Sequence, residues 1–217
     1  MLDTIERNPN QEADASIIWM HGLGADGHDF EPIVDALNLP GVRFILPHAP
    51  YRAVSINNGY EMRAWFDIFG LDADSPQDET GIRQSRQEIE ALIAKEKAKG
   101  IAAHRIVLAG FSQGGAIALH TALRHTETLA GVLVLSSWLP LKTRLQQEAH
   151  LANRALPVFM AHGTFDSIVP LQTAENSARL LTEAGYPLTW QTYPMAHSVC
   201  DREVADIRQF LCSILSI

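Results

Sequence analysis

Cysteine is nearly missing from this 217-residue chain, which carries only Cys200 and Cys212. Both fall in what reads as the final helix, where twelve residues would hold them roughly 18 Å apart. That is far beyond disulfide reach, so no disulfide supports the fold and a cytoplasmic setting is expected. Long apolar runs are missing too. None approaches the roughly 18 residues that a membrane-spanning helix requires, so no membrane insertion is expected. Residues 1–16 are polar and acidic, without the basic-then-apolar pattern of a signal peptide. Positive charge is scarce: 17 Lys and Arg against 25 Asp and Glu leave a net charge of -8. With no basic cluster interleaved with aromatics, nucleic acid is not expected as a partner. No repeat, low-complexity tract or Gly/Ser linker marks a boundary. One domain over residues 1–217 is expected, and a hydrophobic content of 47% is ample for its core.

What is present is a recurring unit, a short apolar run followed by a helical pattern. The runs are residues 16–20, 42–46, 105–109, 132–136, 158–161 and 188–193. Each is rich in Ile, Val, Leu or aromatics and lacks polar alternation, as strands buried on both faces of a parallel sheet do. Helices are expected over residues 80–100 (capped by Thr80), 113–125, 171–184 and 199–215. The alternation predicts an α/β fold with a mostly parallel central sheet and helices on both faces. Ligands bind such sheets beyond the carboxyl ends of the strands, so site residues should follow strands directly. Residues 48–79 break the rhythm around Tyr60, Trp65 and Phe66. A stretch that long is either functional or a surface excursion tucked down by its own aromatics. Residues 138–156 are too few for a separate cap domain.

Gly110-Phe111-Ser112-Gln113-Gly114 matches G-x-S-x-G, which sets a serine on a sharp strand-to-helix turn with glycines where side chains would clash. Strand 105–109 precedes it and helix 113–125 follows. A serine hydroxyl needs a base, normally a histidine oriented by a carboxylate. On this scaffold the order is Ser, then acid, then His. His120 and His125 share the serine's helix, His150 lies in a helical or loop segment, and His162 precedes every plausible acid. His197 follows strand 188–193 through Pro194-Met195-Ala196. Among Asp166, Glu127, Glu148, Glu175 and Glu183, only Asp166 follows a strand without lying on a helical segment. An oxyanion hole needs two backbone N–H donors. Gln113 supplies one, and Leu23 in His21-Gly22-Leu23-Gly24 is placed for the other. There is no H-E-x-x-H, paired His/Cys spacing, phosphate loop or G-x-G-x-x-G, so neither metal nor cofactor is implied.

These residues resemble the phospholipase/carboxylesterase branch of α/β-hydrolases, which includes acyl-protein thioesterases and small bacterial carboxylesterases. The resemblance runs over nearly the whole chain. It rests on Trp19-Met20-His21-Gly22-Leu23-Gly24, Pro47-His48-Ala49-Pro50, Trp65-Phe66-Asp67, Gly110 to Gly115, Ser136-Ser137-Trp138-Leu139-Pro140, His162-Gly163 with Asp166, Val169-Pro170 and His197. It implies a single-domain α/β-hydrolase without a large cap and a Ser112/Asp166/His197 triad. It further implies a shallow acyl groove, with Leu23, Trp65, Trp138 and Val169 as substrate contacts. A small-molecule ester is the implied substrate, and relatives suggest a homodimer although no interface signature stands out. Members acting on lipidated proteins often continue H-G-L-G directly with Asp, whereas here Ala25 precedes Asp26. That favours a serine carboxylesterase for short- to medium-chain esters. The alternatives are an acyl-protein or acyl-CoA thioesterase or lysophospholipase with the same triad, and a catalytically silent ligand-binding member.

Overall fold

Strands without a polar face are stable only where helices cover both sides of their sheet, and the computed structural model has that arrangement. It describes residues 2–7, 13–70 and 75–217. In chain order the elements are β1 (Thr4–Arg7), β2 (Ala15–Met20), α1 (Glu31–Leu37), β3 (Val42–Pro47), β4 (Tyr51–Val54) and β5 (Tyr60–Arg63). There follow α2 (Glu79–Ala98), β6 (Ile106–Phe111), α3 (Gln113–Arg124), β7 (Gly131–Leu135) and α4 (Leu145–Glu148). Last come β8 (Val158–Gly163), α5 (Leu171–Glu183), β9 (Leu188–Tyr193) and α6 (Asp201–Leu215). The main sheet runs β1-β3-β2-β6-β7-β8-β9. Only the β1–β3 pair is antiparallel; the other five are parallel.

Alternate side chains of each strand feed two apolar layers. On β2, Ile18 and Met20 pack into the layer with α2, α3 and α5, and Ile17 and Trp19 into the layer with α1 and α6. All the strands that precede Ser112, Asp166, His197 and the His21 loop are parallel members of this sheet. These residues therefore gather along one edge.

The structure departs from the sequence expectations where the apolar signal is weak. β1 (Thr-Ile-Glu-Arg) is half-buried and closes one edge, and its charged residues hid it. β9 forms the other edge, with Thr189 and Gln191 exposed, so it is not covered on both faces. α1 was not expected, being only seven residues. α2 begins at Glu79 and is capped by Asp78, which accepts from Gly81 N–H at 2.9 Å; Thr80 lies inside the first turn. α6 begins at Asp201, with Cys200 at its cap. Within residues 48–79, β4 and β5 form a hairpin, and Trp65 and Phe66 are buried while Tyr60 is exposed; residues 71–74 lie outside the described ones. Among the described residues no helix is long and apolar enough to cross a membrane.

A buried carboxylate ties β2 and β3 to α2. Glu96 is only 1% exposed, and its Oε2 lies 2.6 Å from Ser16 Oγ and 2.9 Å from Arg43 Nε. Lys99 Nζ lies 3.1 Å from Oε1. Glu6 of the edge strand β1 shares Arg43 and Lys99 with it, Lys99 at 3.3 Å, and also meets Lys95 at 3.0 Å. Removing one partner of a buried pair leaves the other charge uncompensated. Glu96→Ala is expected to cost about 3 kcal/mol, and the more exposed Glu6→Ala under about 1 kcal/mol. Urea unfolding measures both; equal losses would refute the assignment of the network's centre to Glu96.

Candidate active site

Ser112 sits between β6 and α3 with φ 52° and ψ -121°, a conformation L-residues rarely adopt. Its neighbours leave no alternative. A Cβ on Gly110 would lie 2.3 Å from the Gly114 carbonyl carbon, and one on Gly114 would lie 2.3 Å from Met20 O. The turn is pinned by Ser112 N–H donating to Leu135 O at 2.8 Å and by Ser137 Oγ donating to Ser112 O at 2.5 Å. The side chain is thereby placed on the floor of a groove that His197 also lines.

His197 and Asp166 come from the loops after β9 and β8, and His197 Nδ1 lies 2.7 Å from Asp166 Oδ2. The other carboxylate oxygen, Oδ1, accepts from the N–H groups of Ile168 and Val169, each at 2.9 Å. The two loops touch because Gly163 has no side chain; a Cβ there would lie 2.4 Å from both Met195 O and Ala196 O. Phe165 N–H donates to Met195 O at 3.0 Å across the same seam. The Phe111 ring, 4.6 Å from the imidazole centroid, flanks His197.

The loop after β2 is braced by a neutral histidine. His21 Nε2 accepts from Ala49 N–H at 3.0 Å, so its hydrogen resides on Nδ1 and is donated to Gly22 O at 2.7 Å. Burial lowers its pKa to about 4 against the opposing pull of the Gly22 carbonyl. Gly24 N–H donates to Arg63 O and Ala25 N–H to Gly22 O. Neither of these bonds uses the Leu23 N–H. Gln113, the first residue of α3, has an N–H with no intrahelical acceptor. Leu23 lines the groove with Ser112, and Gln113 follows the serine directly.

The Gln113 side chain has a second role that the motif does not reveal. Its Oε1 accepts from Trp65 N–H at 2.8 Å and its Nε2 donates to Phe66 O at 2.7 Å. Trp65 in turn donates its indole N–H to His21 O at 2.9 Å. Trp65 is fully buried and does not line the groove, so the expected substrate contact is corrected: it braces the loop His21-Gly22-Leu23-Gly24 from behind. Leu23, Trp138 and Val169 do line the groove with Ser112 and His197. A second chamber, walled by Phe66, Leu139 and Leu180, shares Trp138 and Val169 with the groove. The other histidines stand apart: His120 and His125 are buried on or just after α3, and His150 caps the turn Leu151–Asn153.

A family model described as Phospholipase/Carboxylesterase matches residues 4–215. Acyl-protein thioesterase 1 of Gibberella zeae is 43% identical over 91% of this chain and 89% of its own length. Acyl-protein thioesterase 1 of Cryptococcus neoformans is 36% identical over 99% of this chain and 98% of its own. The crystal structure of Zea mays acyl-protein thioesterase 2 superposes with a TM-score of 0.90 at 28% identity, covering 99% of this chain and 100% of that one. With the fold, the strained serine turn and the relatives in agreement, the chain belongs to the phospholipase/carboxylesterase family of α/β-hydrolases, serine hydrolases of esters and thioesters.

Proposed function

We propose that the chain is a thioesterase that removes fatty acyl groups from protein cysteines, with Ser112, His197 and Asp166 as its triad. The observation that carries the reading is the apolar groove that opens on Ser112, with a second chamber adjoining it at Trp138 and Val169. An apolar site of this kind suits an acyl chain, and the acyl-protein thioesterases that match nearly end to end support the reading. Ala25, which favoured the ester reading from sequence, does not separate the two. Asp26 accepts from His28 N–H at 2.8 Å and caps a short turn, so the inserted residue serves the local backbone. The two free thiols, Cys200 and Cys212, suit the reducing cytoplasm in which S-acylated proteins are processed.

In this mechanism His197 takes the Ser112 proton as Oγ attacks the acyl carbonyl. Asp166 holds the imidazole with Nε2 toward the serine and stabilises the imidazolium. The tetrahedral oxyanion rests on the N–H groups of Leu23 and Gln113. Collapse expels the thiol, protonated by His197, and water repeats the sequence to release the fatty acid.

Ser112→Ala should abolish turnover of a p-nitrophenyl ester with the circular dichroism spectrum unchanged; wild-type-like turnover would end the assignment. Asp166→Asn should lower kcat by roughly 10⁴-fold through the wrong histidine tautomer. On matched oxygen esters and thioesters, kcat/KM should favour the thioester and rise with acyl length. A preference for short oxygen esters would return the function to a carboxylesterase.

A further inference from the structure

His162 ends β8, is fully buried, and takes no part in the mechanism above. Its Nε2 lies 2.8 Å from Val169 O and 3.3 Å from Asp166 Oδ2. Both neighbours are acceptors, so the ring's hydrogen resides on Nε2. The charged or titratable groups around it are Asp166 in the same loop, His197 from the loop after β9, and Glu175 on α5. Burial keeps the imidazole below its ordinary range, against the pull of the two carboxylates, and the ring is neutral.

Asp166 therefore has three donors and one close polar neighbour. The Ile168 and Val169 amides hold Oδ1 and His197 Nδ1 meets Oδ2, while His162 Nε2, 3.3 Å from Oδ2, gives its hydrogen to Val169 O. We propose that His162 is a positioning residue for the reaction, its Nε2–H holding Val169 O so that the Val169 N–H stays on Asp166 Oδ1 and the acid stays within reach of His197. This rests on the triad reading. A bare carboxylate can rotate about its Cβ–Cγ bond and drop the His197 hydrogen bond. With both oxygens held, that rotation breaks contacts on each side. The neutral N–H beside Oδ2 also offsets its charge. Removing it concentrates that charge on His197 and favours the imidazolium. Because the same hydrogen faces Val169 O, the residue that contacts the acyl chain and the residue that orients the base move as one unit.

The test is the pH dependence of kcat/KM on a short ester for the wild type, His162→Phe and His162→Gln. His162→Phe fills the space without a donor. Its kcat should fall about twofold to tenfold, the weight of one neutral hydrogen bond, with KM little changed. Its acidic limb should move up by about half a pH unit. His162→Gln, which keeps an N–H, should restore both. A purely structural residue would lower Tm and leave the limb in place, and that result overturns the inference, as does a Gln variant no better than Phe. Should the Phe variant fail to fold, ¹⁵N shifts of wild-type His162 decide. A neutral ring protonated at Nε2 at pH 7 is expected, and a hydrogen on Nδ1 overturns the inference. Unchanged kcat in Asp166→Asn would remove the triad reading itself, whereas a loss there beside a silent His162→Phe removes only this inference.

Discussion

The backbone of Ser112, held in a conformation that costs an L-residue about 1–3 kcal/mol, is the constraint around which the site is assembled. It turns the chain from β6 into α3 within one residue, which lifts the hydroxyl above the sheet and places the first amide of α3 beside it. Neither outcome survives relaxation of the turn. Ser137 and the Leu135 carbonyl hold it from β7 and the residues just after it. The β2 backbone, pressed against Gly114, holds it from the other side. The strain is therefore supported by the three central strands, the most deeply buried part of the molecule.

From that turn a chain of polar contacts runs to the loop His21-Gly22-Leu23-Gly24. Gln113 grips the backbone of Trp65 and Phe66, Trp65 grips His21, and His21 closes on Gly22 and Ala49. Each link is buried and each buried polar group along it has a partner, which is how such a network becomes rigid rather than costly. The loop that presents Leu23 is thus positioned by the residue that follows the serine. This explains why Trp65, although next to the groove in sequence terms, contributes from behind it.

The histidines divide by surroundings rather than by identity. His21 and His162 are fully buried, and burial keeps each neutral and fixed in one tautomer by its acceptors or donors. His197 is partly open to the groove, beside the Asp166 carboxylate. The side chains are the same; what surrounds each one differs.

Much of this was legible in the residues themselves. Runs without polar alternation announced the parallel strands, and the strand–Gly110–Ser112–Gly114–helix order announced the turn. Chain order and a place just after a strand pointed to Asp166 and His197, which the fold brings to 2.7 Å of each other. The edges of the sheet were not legible: β1 carries charge because one side of an edge strand faces water, and β9 was read as covered on both faces although its position at the rim exposes Thr189 and Gln191. Nor could spacing show that Trp65 points away from the groove, that Gln113 holds it, or that His162 reaches the acid. Periodicity and motif spacing report the local backbone and the face that is buried. Which side chains meet across loops that are distant in sequence is decided only when the strands pack, and there the partners of Trp65, Gln113 and His162 were settled.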